Sequence, residues 1–248
     1  MIEYVAAGGI ARITLNRPDK RNAITSEMMS ALRDALQRSS DDAAVRVLLI
    51  RGSGKDFCAG LDLSEVLKSA EDAEASLASA RRLGDLYIAM RRHPKPIIAA
   101  VHGRALGGGA GIATASDLII AAESAQFGYP EVKLGFIPAI VATMLRRSVN
   151  ERQAMELALT GEPLSASRAY AVGLINRVIP DAEFDTEVER YVAALAENSA
   201  TAMNLSKTLL YQTDGLSFEA SIEAGVQANV QVRTTDDFKR GVARFLRK

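Results

Sequence analysis

The chain has 248 residues, 48% hydrophobic and 24% charged, the composition of a folded globule with a sizeable core and not of a disordered segment. Thirty Lys and Arg cancel 30 Asp and Glu, and seven Phe, six Tyr and no Trp leave little to attract or stack a nucleic acid. The single cysteine, Cys58, excludes an internal disulfide, and with only His93 and His102 beside it no Cys/His zinc site is expected. Glu3, Arg12 and Arg17 interrupt the apolar stretches of the first twenty residues, and no run nears the ~18 residues of a membrane span, so the expected location is the cytoplasm.

Along the chain, Ile10–Leu15 alternates Ile10, Arg12 and Thr14 with Ala11, Ile13 and Leu15, the two-residue period of a strand. Asn16-Arg17-Pro18-Asp19 is a turn. Thr25 or Ser26 then caps a helix with Met28, Leu32, Ala35 and Leu36 on one face, and Val45–Ile50 reads as a fully buried strand. Gly52 to Gly60 is a glycine-punctuated loop. Ser64 to Arg92 is mostly helical, with Leu77, Leu83, Leu86, Ile88 and Met90 as apolar members; its Ser69–Ala80 part is the expected mobile segment, and Pro94 and Pro96 close it. Ile97–His102 is a further strand, Gly103–Gly109 a glycine-rich turn, Ile112 to Ala115 helical, and Asp117–Ala122 a strand. Repeated strand-helix-strand order predicts an α/β core with mostly parallel pairing. From Asn150 onward helices dominate, with one short strand at Leu174–Ile179 after Gly173. Apolar stripes at Phe184, Val188, Val192 and Leu195, at Phe218, Ile222, Val226 and Val230, and at Phe238, Val242 and Phe245 need a surface to bury against, and oligomerisation is the expected solution.

Three segments carry candidate chemistry. Gly107-Gly108-Gly109 is either a tight packing turn or a place where backbone N–H groups stay uncovered at a helix start and partial positive charge gathers to hold an anion, although neither a dinucleotide fingerprint nor a phosphate loop is present. Lys55-Asp56-Phe57-Cys58-Ala59-Gly60-Leu61-Asp62-Leu63 is a second glycine-bearing loop leading into a helix. In the third, Glu131 follows Pro130 in apolar surroundings, either as a solvated helix-start charge or as a buried base.

Together with Asn16-Arg17-Pro18, Phe57-x-Ala59-Gly60-x-Asp62, Lys95-Pro96-x-x-Ala99-Ala100-Val101-x-Gly103, Ala105 to Gly109, Asp117, Phe127-Gly128 and Pro130-Glu131, these segments resemble the crotonase (enoyl-CoA hydratase/isomerase) superfamily over essentially the whole chain. The resemblance implies an α/β core of repeated β-β-α turns, assigned here to residues 1–190, and a helical C-terminal oligomerisation region, 191–248, that forms a homotrimer or homohexamer. It implies an acyl-CoA thioester as substrate, with coenzyme A part of that substrate and no separate cofactor. The thioester oxygen is then expected between the backbone N–H groups of Leu61 and Gly108, and Glu131 is expected to move protons. The same resemblance places the remainder of the ligand against Lys20, Arg21, Ala23, Lys55, Ala59, Asp62, Gly107 and Gly111, and against Lys248 of a neighbouring copy.

This sequence departs from the hydratase pattern at three positions. The pattern has a carboxylate two residues after the glycine triplet, where this chain has Gly111, leaving Glu131 alone. A single carboxylate suits a proton shuttle, so double-bond isomerisation of 3-enoyl to 2-enoyl thioesters stands as the alternative to water addition. The glycines that usually follow the Ile-Pro pair are replaced by Ala139-Ile140-Val141-Ala142-Thr143, and no carboxylate occurs between Glu131 and Glu151, which disfavours covalent dehalogenation. The position of an adenine-stacking aromatic is Asn229. Rivals of another class are a silent crotonase-fold assembly, opposed by the intact Glu131, and an RNA-binding role, opposed by zero net charge. Cys58 is expected as a buried filler, and His93 and His102 as loop and core-edge residues.

Overall fold

The structure, a computed structural model, describes residues 1–247. In chain order its regular elements are β1 (Ile2–Ala7), β2 (Ile10–Leu15), α1 (Ser26–Asp41), β3 (Val47–Gly52), α2 (Leu63–Ser69), α3 (Ala73–Arg92), β4 (Ile97–Val101), β5 (Arg104–Leu106), α4 (Gly108–Ala115), β6 (Leu118–Ala122), β7 (Gln126–Gly128), α5 (Val141–Ser148), α6 (Glu151–Thr160), β8 (Leu164–Ser165), α7 (Ala166–Ala171), β9 (Arg177–Ile179), α8 (Phe184–Ala196), α9 (Ala200–Gln212), α10 (Phe218–Arg233) and α11 (Asp236–Leu246). Short 3₁₀ turns cover Pro18–Lys20, Pro130–Leu134 and Asp181–Glu183.

A six-stranded sheet runs β1-β2-β3-β4-β6-β9, parallel throughout except for the antiparallel β1 edge. A second, three-stranded sheet runs β5-β7-β8. The parallel strands read as continuous apolar runs because helices cover both faces: every residue of β4 is buried, as are Val47 to Ile50 of β3. α1 is capped by Thr25, whose side chain accepts from the Met28 N–H, and it buries Met28, Met29, Leu32, Ala35 and Leu36.

Several elements differ from the sequence expectation. β1 was not expected; it is an edge strand whose exposed positions include apolar Val5, Ala6 and Ala7, so its sequence shows no alternation. β5 and β7 are three residues each and β8 only two, too short to leave a period. The strand expected at Leu174–Ile179 is confined to Arg177–Ile179, and the one at Val45–Ile50 begins at Val47 and runs on to Gly52. Ser69–Ala80 forms the end of α2, a turn and the first turns of α3, so the expected single helix is two.

One expectation is corrected outright. The α8 stripe, Phe184, Val188 and Val192, needs no partner subunit, because it is buried within this chain against β2, β3 and β6. α8 is thus part of the core, and a domain division at residue 190 would cut through it. α9 is tied down as well: Lys207 Nζ lies 2.8 Å from Asp117 Oδ2 and donates to the carbonyls of Met90 and Lys95 at 3.2 Å each. Among the C-terminal helices α8 to α11, α10 and α11 bury none of their residues, and in α10 Phe218, Ile222, Val226 and Val230 are all exposed.

Candidate active site

The loop between β3 and α2 is held in place by polar side chains that sequence reasoning passed over. Asn22 is fully buried at φ 56°, a left-handed conformation that Asn tolerates better than most residues. Its amide donates to the carbonyls of Ser53 at 2.9 Å and Asp56 at 2.8 Å, and its Oδ1 accepts from the Arg17 N–H at 2.8 Å. Buried Asp56 is gripped by Arg104, with contacts of 2.8 and 2.9 Å to the guanidinium and 3.0 Å to the backbone N–H, which holds the Asp56 carboxyl below its ordinary range. This is the bidentate geometry in which an ion pair is strongest.

The loop then runs beside residues 21–24: the Ala59 N–H donates to Arg21 O at 2.9 Å, Ile24 N–H to Gly60 O at 2.8 Å, and Asp62 N–H to Ile24 O at 2.9 Å. Lys20, Arg21 and Lys55 are exposed on these neighbouring loops, with Ala23 and Ala59 half-buried between them. Asp62, expected at the ligand, is engaged within the protein. Its carboxylate caps α2 through the Ser64 N–H and hydroxyl and accepts from Arg17 at 2.7 Å, interactions that hold it down at about 2. Lys248 lies outside the described residues.

The glycine triplet begins α4. Gly107 adopts φ 48° and its N–H donates to Gly128 O at 2.9 Å; a β-carbon on Gly109 would fall 2.4 Å from Cys58 O, so only glycine admits this close crossing of the two loops. As the first residue of α4, Gly108 has no acceptor for its N–H inside the helix. Among the described residues neither that N–H nor the N–H of Leu61 donates to the protein. The two loops meet here: a β-carbon on Gly108 would touch the Leu61 side chain at 3.3 Å.

Glu131 is carried by the 3₁₀ turn after Pro130, which points it back at the triplet, so that a β-carbon on Gly107 would lie 3.0 Å from Glu131 Oε1. Its Oε2 is buried and without a hydrogen-bond partner among the described residues, and burial pushes its pKa above the ordinary glutamate value. The carboxylate is therefore half-buried and not fully solvated.

Leu61, Gly108 and Glu131 border one cavity of about 300 Å³, walled otherwise by Val66, Ser69, Ala70, Ser76, Ser79, Ala80 and Leu83 from α2 and α3 and by Phe136 to Val141. Glu131 is its one ionisable lining residue, and the Ala139-Ile140-Val141 departure noted in the sequence forms part of its apolar wall.

Gly111, also expected at the ligand, is not among the residues that line this cavity. It is buried beneath Tyr87 and Val141 instead of bordering the cavity: a β-carbon there would be 2.1 Å from the Tyr87 hydroxyl oxygen and 2.6 Å from Val141 Cγ1. Tyr87 was missed because it stands at helical spacing with Leu83 and Met90 and reads as one more core residue. Cys58 is a buried filler as expected, its thiol donating to Asn22 O and pushed by burial up to about 12. His93 is enclosed by Ser39, Leu36 and Lys95, and burial lowers its pKa. Among the described residues no group of three or more His, Cys, Asp or Glu could hold a metal ion, and no helix is long and apolar enough to cross a membrane.

A spiral of β-β-α turns with a helical C-terminal region, whose glycine-led helix abuts an apolar cavity, is the crotonase fold. The chain belongs to the enoyl-CoA hydratase/isomerase family, whose model matches residues 6–248, and it is an enzyme of that family acting on acyl-CoA. It is 33% identical over 238 residues to the 2,3-dehydroadipyl-CoA hydratase of Escherichia coli K12, covering 95% of this chain and 91% of that one. Among solved structures it superposes on an enoyl-CoA hydratase from Mycobacterium smegmatis with a TM-score of 0.95 at 30% identity, and on one from Bacillus anthracis with 0.94 at 30%, in both cases over 99% of this chain and 96% of the other.

Proposed function

We propose that the protein adds water to a 2-enoyl-CoA thioester, holding the thioester oxygen between the N–H groups of Leu61 and Gly108 and moving protons with Glu131 alone. The supporting observation is the convergence of two unpartnered N–H groups and one unpartnered, half-buried carboxylate on a single apolar cavity. As oxygen bonds to C3 and the double bond opens, negative charge collects on the thioester oxygen, where each aimed N–H is worth about 2.7–4 kcal/mol. The Glu131 carboxylate takes a proton from the attacking water and returns one to C2, so the carboxylate is regenerated and the product gains one water. Desolvation makes this carboxylate a stronger base than an exposed one.

Gly111 favours a second reading, positional isomerisation of 3-enoyl to 2-enoyl thioesters, in which Glu131 removes a proton from C2 and returns it to C4 with no change in mass. Incubating 2-enoyl and 3-enoyl thioesters with the enzyme in deuterium oxide separates the two in one mass-spectrometric run. Hydration is expected to give products heavier by one D₂O; conversion of the 3-enoyl into the 2-enoyl thioester, read by chromatographic retention ahead of the mass spectrometer with or without deuterium uptake, assigns isomerisation, and neither with any thioester would sink both.

The exposed Lys20, Arg21 and Lys55 suit the coenzyme A phosphates, with Ala23, Ala59 and Gly107 as close backbone neighbours of the ligand; Lys248 of a second copy completes this proposal. The oligomerisation region is proposed to begin at Ala200, after α8, in a homotrimer or homohexamer whose contacts include α10. The apolar α10 stripe is too continuous for a free surface. Val226→Asp is therefore expected to lower the mass read by light scattering, and a wild type already at the mass of one chain would remove the assembly. The single buried thiol fits the cytoplasm.

A further inference from the structure

We propose that Tyr87 is a positioning residue for this site, clamping the first turn of α4 through the carbonyl of Gly108, and that residue 111 is glycine to admit its hydroxyl. The proposal rests on the role given above to the Gly108 N–H. Tyr87 reaches in from α3, and its side chain is fully buried. Its hydroxyl donates to Gly108 O at 2.8 Å. In an α-helix that carbonyl is also the acceptor for residue 112, so the phenol adds a second bond to a group the helix already uses.

The need for an outside clamp follows from the triplet itself. Gly107, Gly108 and Gly109 have no side chains to restrict them, and glycine is the residue with the most backbone freedom to lose. Each is held by something else: Gly107 by its bond to Gly128 O, Gly109 by its packing on Cys58, and Gly108 by Tyr87. The peptide whose carbonyl accepts from Tyr87 adjoins the peptide whose N–H faces the cavity, so fixing one orients the other. Residues 108 and 111 lie one turn apart on the same face of α4, and the phenol covers both. A β-carbon at 111 would stand 2.1 Å from the hydroxyl oxygen and 2.5 Å from Cζ. Burial raises the phenol pKa well above its usual value, so the group remains a neutral donor over the working pH range. A Phe or Leu would fill the same volume without that bond.

The test is Tyr87→Phe, which retains the ring and deletes the donor. Measured well below the melting temperature of the variant, kcat and kcat/KM are expected to fall together about tenfold with KM within twofold, the pattern of an interaction made in the transition state. Gly111→Ala, which pushes the phenol away, is expected to lower kcat in the same manner. Glu131→Gln runs alongside. Wild-type kcat in Tyr87→Phe with only a lowered melting temperature, while Glu131→Gln is inactive, would make Tyr87 a core filler and overturn the proposal alone. Full turnover in Glu131→Gln overturns the site on which it rests.

Discussion

Glu131→Gln is expected to lower turnover by ~10²–10⁴-fold on every accepted thioester, the usual contribution of a general acid/base, with no loss of folding stability at neutral pH. Gln has the same size and reach but cannot accept a proton. The stability half follows from the sign of the pKa shift. Burial raises the Glu131 carboxyl in the folded state above its value in the unfolded chain, so the folded state prefers the protonated form. That preference is fully present below the unfolded pKa and is lost as pH rises through the folded value, so at neutral pH the ionised carboxylate is a burden that the amide removes. The melting temperature of the variant is thus expected to equal or exceed that of the wild type near pH 7. The same shift sets the pH profile: kcat/KM should rise with pH along an acid limb whose midpoint lies above the ordinary glutamate pKa of about 4.3. The limb should vanish from any residual activity of the variant. Wild-type turnover in Glu131→Gln would mean that another group moves the proton.

A second large effect is expected at a residue that does not line the cavity. Lys207→Met should destabilise the fold by about 3 kcal/mol, near the lower end of the cost of breaking a buried ion pair. The Lys207 and Asp117 side chains are 7% and 14% exposed, and their pairing joins α9 to the turn before β6. Asp117 gathers a whole network, accepting the Ile97 N–H at 2.7 Å and the Tyr211 hydroxyl at 2.7 Å as well as the ammonium at 2.8 Å. Burial lowers the Lys207 pKa, and the Coulomb attraction of Asp117 opposes it. Removing the cation leaves a poorly solvated carboxylate with two neutral donors. Urea unfolding at fixed protein concentration should show an earlier midpoint at unchanged slope, and Asp117→Asn/Lys207→Met should recover part of the loss. A midpoint shift worth under about 1 kcal/mol would place this pair with ordinary surface bridges.

The parallel core was legible in the chain because strands buried on both faces must be apolar throughout, and Val47 to Ile50, Ile97 to Val101 and Ile119 to Ala122 all are. The N-terminus of α1 was legible because Thr25 caps it locally, and the glycine triplet marked a close approach of backbone, which at Gly109 no larger residue permits. These are properties of a few neighbouring residues. What the sequence left open depended on partners distant in the chain. Whether Glu131 is solvated is decided by the glycine triplet and the cavity wall around it, and what the Asp62 carboxylate pairs with is decided by Arg17, 45 residues earlier. The α8 and α10 stripes have the same apolar spacing, yet one lies on β2, β3 and β6 and the other faces outward. Periodicity specifies that a face is apolar but not what covers it. Tyr87 makes the same point at the scale of one atom: its spacing marks a core residue, and only the packing of α3 on α4 brings its hydroxyl to Gly108 and leaves room at position 111 for nothing but a hydrogen.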